Sequence, residues 1–220
     1  MAEATAPPPA GLSRDEEEAA FYHEAALNAS WTGARLAMGG LSFLFGAFIF
    51  AFFYLKSLNS HNLWYVAPGP KMWEGVLIML LVVVSAVVQT LVLQRIKAGH
   101  KKIWTQGAVV SMLLGLAAVA VLIYQLASLS FWPGSSGFAS VFVGFGPVFL
   151  TIVFCMMVWL EMLIMRSRPI PEISFVEQPP TYAEAFAVQR FQAALSGFTV
   201  TWNFVAVVAV IAWVLFYLVH

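Results

Sequence analysis

Five stretches of the chain, residues 36–55, 75–93, 103–126, 138–160 and 197–219, are apolar almost throughout and contain no Asp, Glu, Lys or Arg. Crossing a hydrocarbon core of about 30 Å takes roughly twenty residues of α-helix at about 1.5 Å each. Inside lipid every backbone N–H and C=O must find its partner within its own segment, so runs of this length are predicted to be helices. A core helix of a soluble protein would carry a polar face, and these carry none. Composition agrees: 61% of the 220 residues are hydrophobic and 10% are charged, against about a quarter charged for a soluble domain. The predicted fold class is therefore all-α, a polytopic membrane bundle of five transmembrane helices.

The connections predict a direction. Between the second and third runs stand Arg95, Lys97, Lys101 and Lys102; between the fourth and fifth are Arg166, Arg168 and Arg190. The loop at 127–137 has no charge, and the one after the first run holds only Lys56 and Lys71 as cations. Positive loops stay on the cytoplasmic side, which places the N-terminus in the cytoplasm and the C-terminus outside. The basic residues Arg95, Lys97, Lys101, Lys102, Arg166 and Arg168 are also candidate contacts for anionic lipid headgroups, each worth about 1 kcal/mol near a charged leaflet. Trp64, Tyr65, Trp73, Trp104, Trp132, Trp202 and Trp213 are expected to form interfacial belts at the span edges.

Residues 1–34 are expected to be an acidic extension preceding a transmembrane domain at 35–220. They lack the basic start and apolar centre of a signal peptide. Pro7, Pro8 and Pro9 lie in a stretch expected to be disordered. Ser13 followed three residues later by Glu16 has the pattern of a capping box, opening a short acidic helix that reaches about Ala29.

The spans offer little chemistry. Haem or copper would need His, Met or Cys ligands inside the helices, whereas His23, His61, His100 and His220 all lie outside the runs. Met156, Met157, Met162 and Met165 sit at helical spacing and read as packing side chains. Cys155 is alone, forms no internal disulfide and also reads as a packing residue. Glu161, near the basic end of the fourth run, reads as a snorkelling or paired acid rather than a relay. Glu74 reads as a first-turn carboxylate meeting its helix dipole. No nucleotide, hydrolase or metalloprotease motif stands in a suitable context. A formal net charge of zero gives no reason to expect nucleic acid as a partner, and no repeat or inverted half points to a transporter. No catalytic, cofactor or metal residue is therefore predicted in this chain.

Small residues mark places where helices can approach closely: Gly39, Gly40 and Gly46 in the first run, and Gly107 and Gly115 with Ala108, Ala117 and Ala118 in the third. Pro147, with Gly144 and Gly146 beside it, is expected to loosen or kink the fourth helix near Val143.

The order of segments then becomes informative. The stretch from Gly99 to Phe142 has a basic turn (His100-Lys101-Lys102), then Leu113-Leu114-Gly115-Leu116 and Tyr124-Gln125-Leu126. The loop Phe131-Trp132-Pro133-Gly134-Ser135-Ser136 follows, and then Gly137-Phe138-Ala139-Ser140-Val141-Phe142. The final run contains Trp202-Asn203-Phe204-Val205-Ala206-Val207-Val208, and the first contains Phe45-Gly46-Ala47-Phe48 through Ala51-Phe52-Phe53-Tyr54. In these features the chain resembles subunit III of haem–copper terminal oxidases (cytochrome c oxidase type), in its short five-helix form, as a divergent member. The family's titratable positions are neutral here: Gly40 or Leu41 for a glutamate, Phe145-Gly146-Pro147 for a histidine-bearing segment, Gln125 for an acid, and Asn203 and Ala206 for His and Asp.

The resemblance implies a non-catalytic core subunit of a respiratory oxidase reducing oxygen to water, in the plasma membrane of a prokaryote. It implies packing on the catalytic subunit I, which holds the haem and copper, and contacts with other oxidase subunits, phospholipids and a larger respiratory supercomplex. Alternatives are an accessory subunit of a quinol oxidase or nitric oxide reductase and, in a different class, a small membrane transporter or channel subunit. The last is disfavoured by spans without charge.

Overall fold

The computed structural model describes residues 14–59, 64, 65, 67–176 and 182–219. These form α1 (Arg14–Ser57), α2 (Met72–Lys97), α3 (Lys101–Ala127), α4 (Gly137–Ser167) and α5 (Tyr182–Tyr217), with a 3-10 turn at Glu172–Phe175 before α5. No strand occurs among the described residues. All five helices are long and apolar enough to span a membrane, as their sequence patterns predict. Ser13, the Pro7–Pro9 segment, His61 and His220 lie outside the described residues, as does the side chain of Glu16.

The first helix differs from expectation. Rather than ending near Ala29, it continues without a break into the first apolar run. No proline interrupts residues 24–36, and the lone Gly33 costs only about 1 kcal/mol in a helix interior. Nothing in the local sequence therefore halts propagation.

Capping sets the other boundaries. At the end of α2 the backbone closes on Gly99 (φ +86°): His100 N–H donates to the Arg95 carbonyl and Gly99 N–H to that of Ile96, both at 3.0 Å. This paired closure satisfies carbonyls the helix would leave open, and it needs a residue tolerant of positive φ. The chain then turns directly into α3. At the start of α4, Ser136 Oγ accepts from Ala139 N–H at 3.0 Å, a cap worth about 1 kcal/mol. The α4 helix runs through Pro147 without a break.

Packing centres on α5, which lies against α1, α2 and α4, while α2 and α3 form an antiparallel pair and α3 leans on α4. Half of the most apolar stretch of α5 (50%) is buried within the chain, against 11% for α1. At one end of the bundle Phe52, Trp64, Phe131, Phe138, Phe142 and Phe216 form an aromatic cluster held by edge-to-face contacts such as Phe52–Trp64 at 5.1 Å and Phe142–Phe216 at 5.2 Å. Such pairs contribute about 1 kcal/mol beyond simple burial. At the other, basic end, Trp104 packs on Phe191 at 5.3 Å.

This packing corrects the belt expectation. Trp64, Trp104 and Trp202 are buried in the bundle, while Trp73 and Trp132 are exposed. The buried three fill space between helices, which a large flat side chain does as well as it anchors an interface.

Candidate functional site

The polar chemistry of the bundle is neutral and internal. Ser85 of α2 and Ser111 of α3 face each other with hydroxyls 2.9 Å apart; each Oγ also approaches the other residue's carbonyl, at 2.8 and 3.0 Å. Trp202 Nε1–H of α5 donates to Ser85 Oγ at 3.1 Å. Three helices are thereby joined at one fully buried point. Close by, Asn203 Nδ2 donates to Thr90 Oγ1 at 3.0 Å, and Thr90 Oγ1 donates back to the Ala86 carbonyl at 2.9 Å. Gln89 is 0% exposed, and neither end of its amide has a hydrogen-bond partner among the described residues. Sequence reading, directed at ionisable groups, passed over Ser85, Gln89, Thr90 and Ser111. The available signal was the spacing: Ser85 and Gln89 stand four apart in an otherwise apolar run, hence on one helix face.

A second polar group lies at the aromatic end. Gln125 Nε2 of α3 donates to Tyr217 Oη of α5 at 2.6 Å. Glu74, in the first turn of α2, lies 3.5 Å from Lys71 Nζ. The first-turn position matches expectation, but the side chain is only 2% exposed. Gly75 explains this: a Cβ there would strike the Tyr217 ring, so its absence lets α5 close over the first turn of α2. A small cavity of about 50 Å³ lined by Gln125, Trp213 and Tyr217 adjoins the group.

The basic end brings some candidate lipid contacts together and diverts others. Lys101 Nζ donates to the carbonyls of Arg168 and Ile170, fastening α3 to the chain leaving α4. Lys102 pairs with Glu172 at 3.7 Å, an exposed contact of little energetic weight. Arg95 and Lys97 stand exposed at the end of α2. Arg166 instead shares a cleft of about 520 Å³ with Arg190 and with Ser30 of α1. Sequence reading used Arg190 only for orientation, because the residues that flank it in space are far away in the chain. Arg168 is exposed and is not among the residues lining that cleft.

The small residues divide similarly. A Cβ on Gly115 would run into Met157 Sδ, and one on Gly107 into Val92, so both mark close helix contacts. Gly146 closes likewise on Leu126. Around Gly39, Gly40 and Gly46 nothing lies within 4 Å of such a Cβ, so no helix packs closely on those positions among the described residues. Pro147 is exposed. Met156 and Met157 are buried, whereas Met162 and Met165 are exposed. Cys155, expected to pack, is exposed on α4, because its position falls on the outward face of that helix. Glu161 is exposed too and forms no ion pair among the described residues. Among those residues no group of three or more His, Cys, Asp or Glu side chains stands close enough to hold a metal ion.

Compared with models of protein families and with curated proteins, the sequence matches none.

Proposed function

We propose that this chain is a non-catalytic core subunit of a respiratory haem–copper terminal oxidase that reduces oxygen to water. It would sit in the plasma membrane of a prokaryote with its basic end in the cytoplasm. The observation that carries the reading is the bare face of α1. Leu36, Phe43 and Phe50 are exposed there, and Gly39, Gly40 and Gly46 meet nothing within the chain. Lipid supplies no hydrophobic drive between helices, so association depends on small residues that let backbones approach and on van der Waals fit. A face with these residues and no internal use suits a helix of a larger neighbour, here the catalytic subunit, with phospholipids filling the rest.

The resembling segments support the same reading. Trp202, Val205 and Val208 are buried in the bundle core, and Phe131, Phe138 and Phe142 build its aromatic end. Gln125 and Asn203, where the family carries titratable groups, are occupied in neutral hydrogen bonds. Neutral buried amides and hydroxyls hold helices together but bear no ionic charge. The role is therefore scaffolding: stabilising the catalytic subunit, which would hold the haem and copper, and the lipids at the interface.

The test is purification of the native complex through a tag on this chain in mild detergent. Its visible spectrum is then recorded and its companion chains identified. A haem absorbance and a co-purifying catalytic subunit are expected. The companion chains and the substrate, oxygen or nitric oxide, separate a cytochrome c oxidase from a quinol oxidase or nitric oxide reductase. A complex with neither haem nor a haem-bearing chain would refute the proposal and leave the transporter class.

A further inference from the structure

The cavity at the aromatic end has mostly apolar walls, among them Ile78, Leu122 and Phe149, but Gln125 of α3 and Trp213 and Tyr217 of α5 bring polar atoms to its lining. Trp213 and Tyr217 stand four residues apart and so share one face of their helix. The Trp213 Nε1–H is buried and has no hydrogen-bond partner among the described residues. Tyr217 Oη accepts from Gln125 Nε2, which leaves the phenol its own proton to donate. An acceptor stands next to these two donors. Gly75 also lines the cavity, and a Cβ on it would come within 2.7 Å of Tyr217 Oη, so that hydroxyl lies against the residue following Glu74. The Glu74 carboxylate is buried, and its Oε1 accepts no hydrogen bond among the described residues. Lys71 Nζ, 3.5 Å away, attracts the charge from beyond the length of a good hydrogen bond. Unmet donors and an unmet acceptor are thus gathered at one place, where each costs stability until it is paired.

Size narrows what can pair them. An apolar cavity of about 150 Å³ takes a benzene ring, so one of about 50 Å³ is too small for a ring or a cofactor. A water needs about 10–15 Å³ of such space, which gives room for roughly three. A wholly apolar lining keeps a cavity dry, whereas a held water needs about two to four polar partners, and Trp213, Tyr217 and Glu74 supply them. We propose that this cavity is a hydration site, in which ordered water accepts from Trp213 Nε1–H and the Tyr217 hydroxyl and donates to the Glu74 carboxylate. The water joins the first turn of α2 to the last turns of α5 and, through Gln125, to α3. It also gives a carboxylate that α5 shuts off from solvent a hydrogen-bond donor inside the protein. The site depends neither on the oxidase partnership nor on which side of the membrane this end faces.

The test uses the full chain in detergent with isotope-labelled tryptophan indoles followed by NMR, the Trp213 signal being assigned by its disappearance in Trp213→Phe. Magnetisation transfer from bound water to the Trp213 Nε1 proton is expected. In heavy water that proton should exchange well before that of Trp202, whose Nε1–H is bonded to Ser85 Oγ and protected. Glu74→Gln, which keeps an acceptor, should retain the water contact, and Glu74→Leu, which removes it, should lose the contact. No water contact at Trp213 in the wild type would overturn the proposal. So would an undiminished contact in Glu74→Leu, because the carboxylate would then hold nothing. If Glu74→Leu is not monodisperse, wild-type crystals pressurised with xenon decide. Xenon in the cavity would show it to be dry and end the proposal, whereas ordered water between Trp213 Nε1 and Glu74, with xenon excluded, upholds it.

Discussion

At Gln125 and Asn203 an amide stands inside the bundle in partnership with a hydroxyl, Tyr217 in one case and Thr90 in the other. An ionised group in their place would carry a desolvation penalty of several kcal/mol unless paired; an amide escapes most of it by satisfying its polar atoms locally. Intramembrane hydrogen bonds are modest, because the unfolded chain in lipid also finds partners. For the Thr90→Ala, Asn203→Ala double-mutant cycle the expected coupling is about 0.6 kcal/mol and no more than about 1.7 kcal/mol, read from unfolding in mixed micelles. A coupling near zero would mean the pair does not form. Gln89 presents the opposite case, buried with both amide atoms unmatched. A buried polar group without a partner costs about 1–3 kcal/mol. Gln89→Leu, close in volume, should therefore leave the melting temperature unchanged or raise it. A clear fall would show that the amide has a partner, such as an ordered water.

At the scale of the helices, the two kinds of glycine should behave differently. Gly115 lets α3 meet Met157 of α4, whereas Gly46 has no close neighbour on another helix among the described residues. Gly115→Leu is expected to overpack that contact and cost about 1–3 kcal/mol, seen as a lowered melting temperature of the isolated chain. Gly46→Leu should leave the isolated chain as stable as wild type yet reduce recovery of companion chains on purification. Equal destabilisation by both would mean that the α1 face is used internally. The existence of the five helices was legible from run length and absence of charge. Their inward faces were not, because a helix apolar on all sides does not mark which side meets protein and which meets lipid. That is why Cys155 turns outward while Trp104 and Trp202 turn inward, although nothing in their local sequences separates them. The continuity of α1 was hidden for a related reason: its composition changes at the membrane border, but backbone hydrogen bonding is indifferent to that change.

For the molecule as a whole, the polar seam and the basic cleft are products of tertiary assembly. Ser30, Arg166 and Arg190 come from three helices, and no spacing rule connects them. Orientation is instead a property of the whole charge distribution. Arg95, Lys97, Lys101, Lys102, Arg166, Arg168 and Arg190 gather toward one end, whereas Lys56 and Lys71 are the cations toward the other. At about 1.5 Å per residue the 44 residues of α1 extend roughly 66 Å, about twice the hydrocarbon thickness. With the apolar run 36–55 in the bilayer, the earlier turns of α1 must stand out on the basic side, where Phe21, Tyr22 and Glu24 are exposed. If positive loops remain in the cytoplasm, those turns are cytoplasmic and the loop containing Trp132 is external. A chain with Cys155→Ala as background tests this, with a single new cysteine introduced by Trp132→Cys or by Glu24→Cys. In intact cells a membrane-impermeant maleimide should label the Trp132→Cys chain only, and in broken cells it should label both. Labelling of the Glu24→Cys chain in intact cells, with the Trp132→Cys chain protected, would invert the molecule in the membrane. It would also place the Arg166–Arg190 cleft at the outer leaflet, so that the charge asymmetry of the loops would no longer explain how the bundle is held.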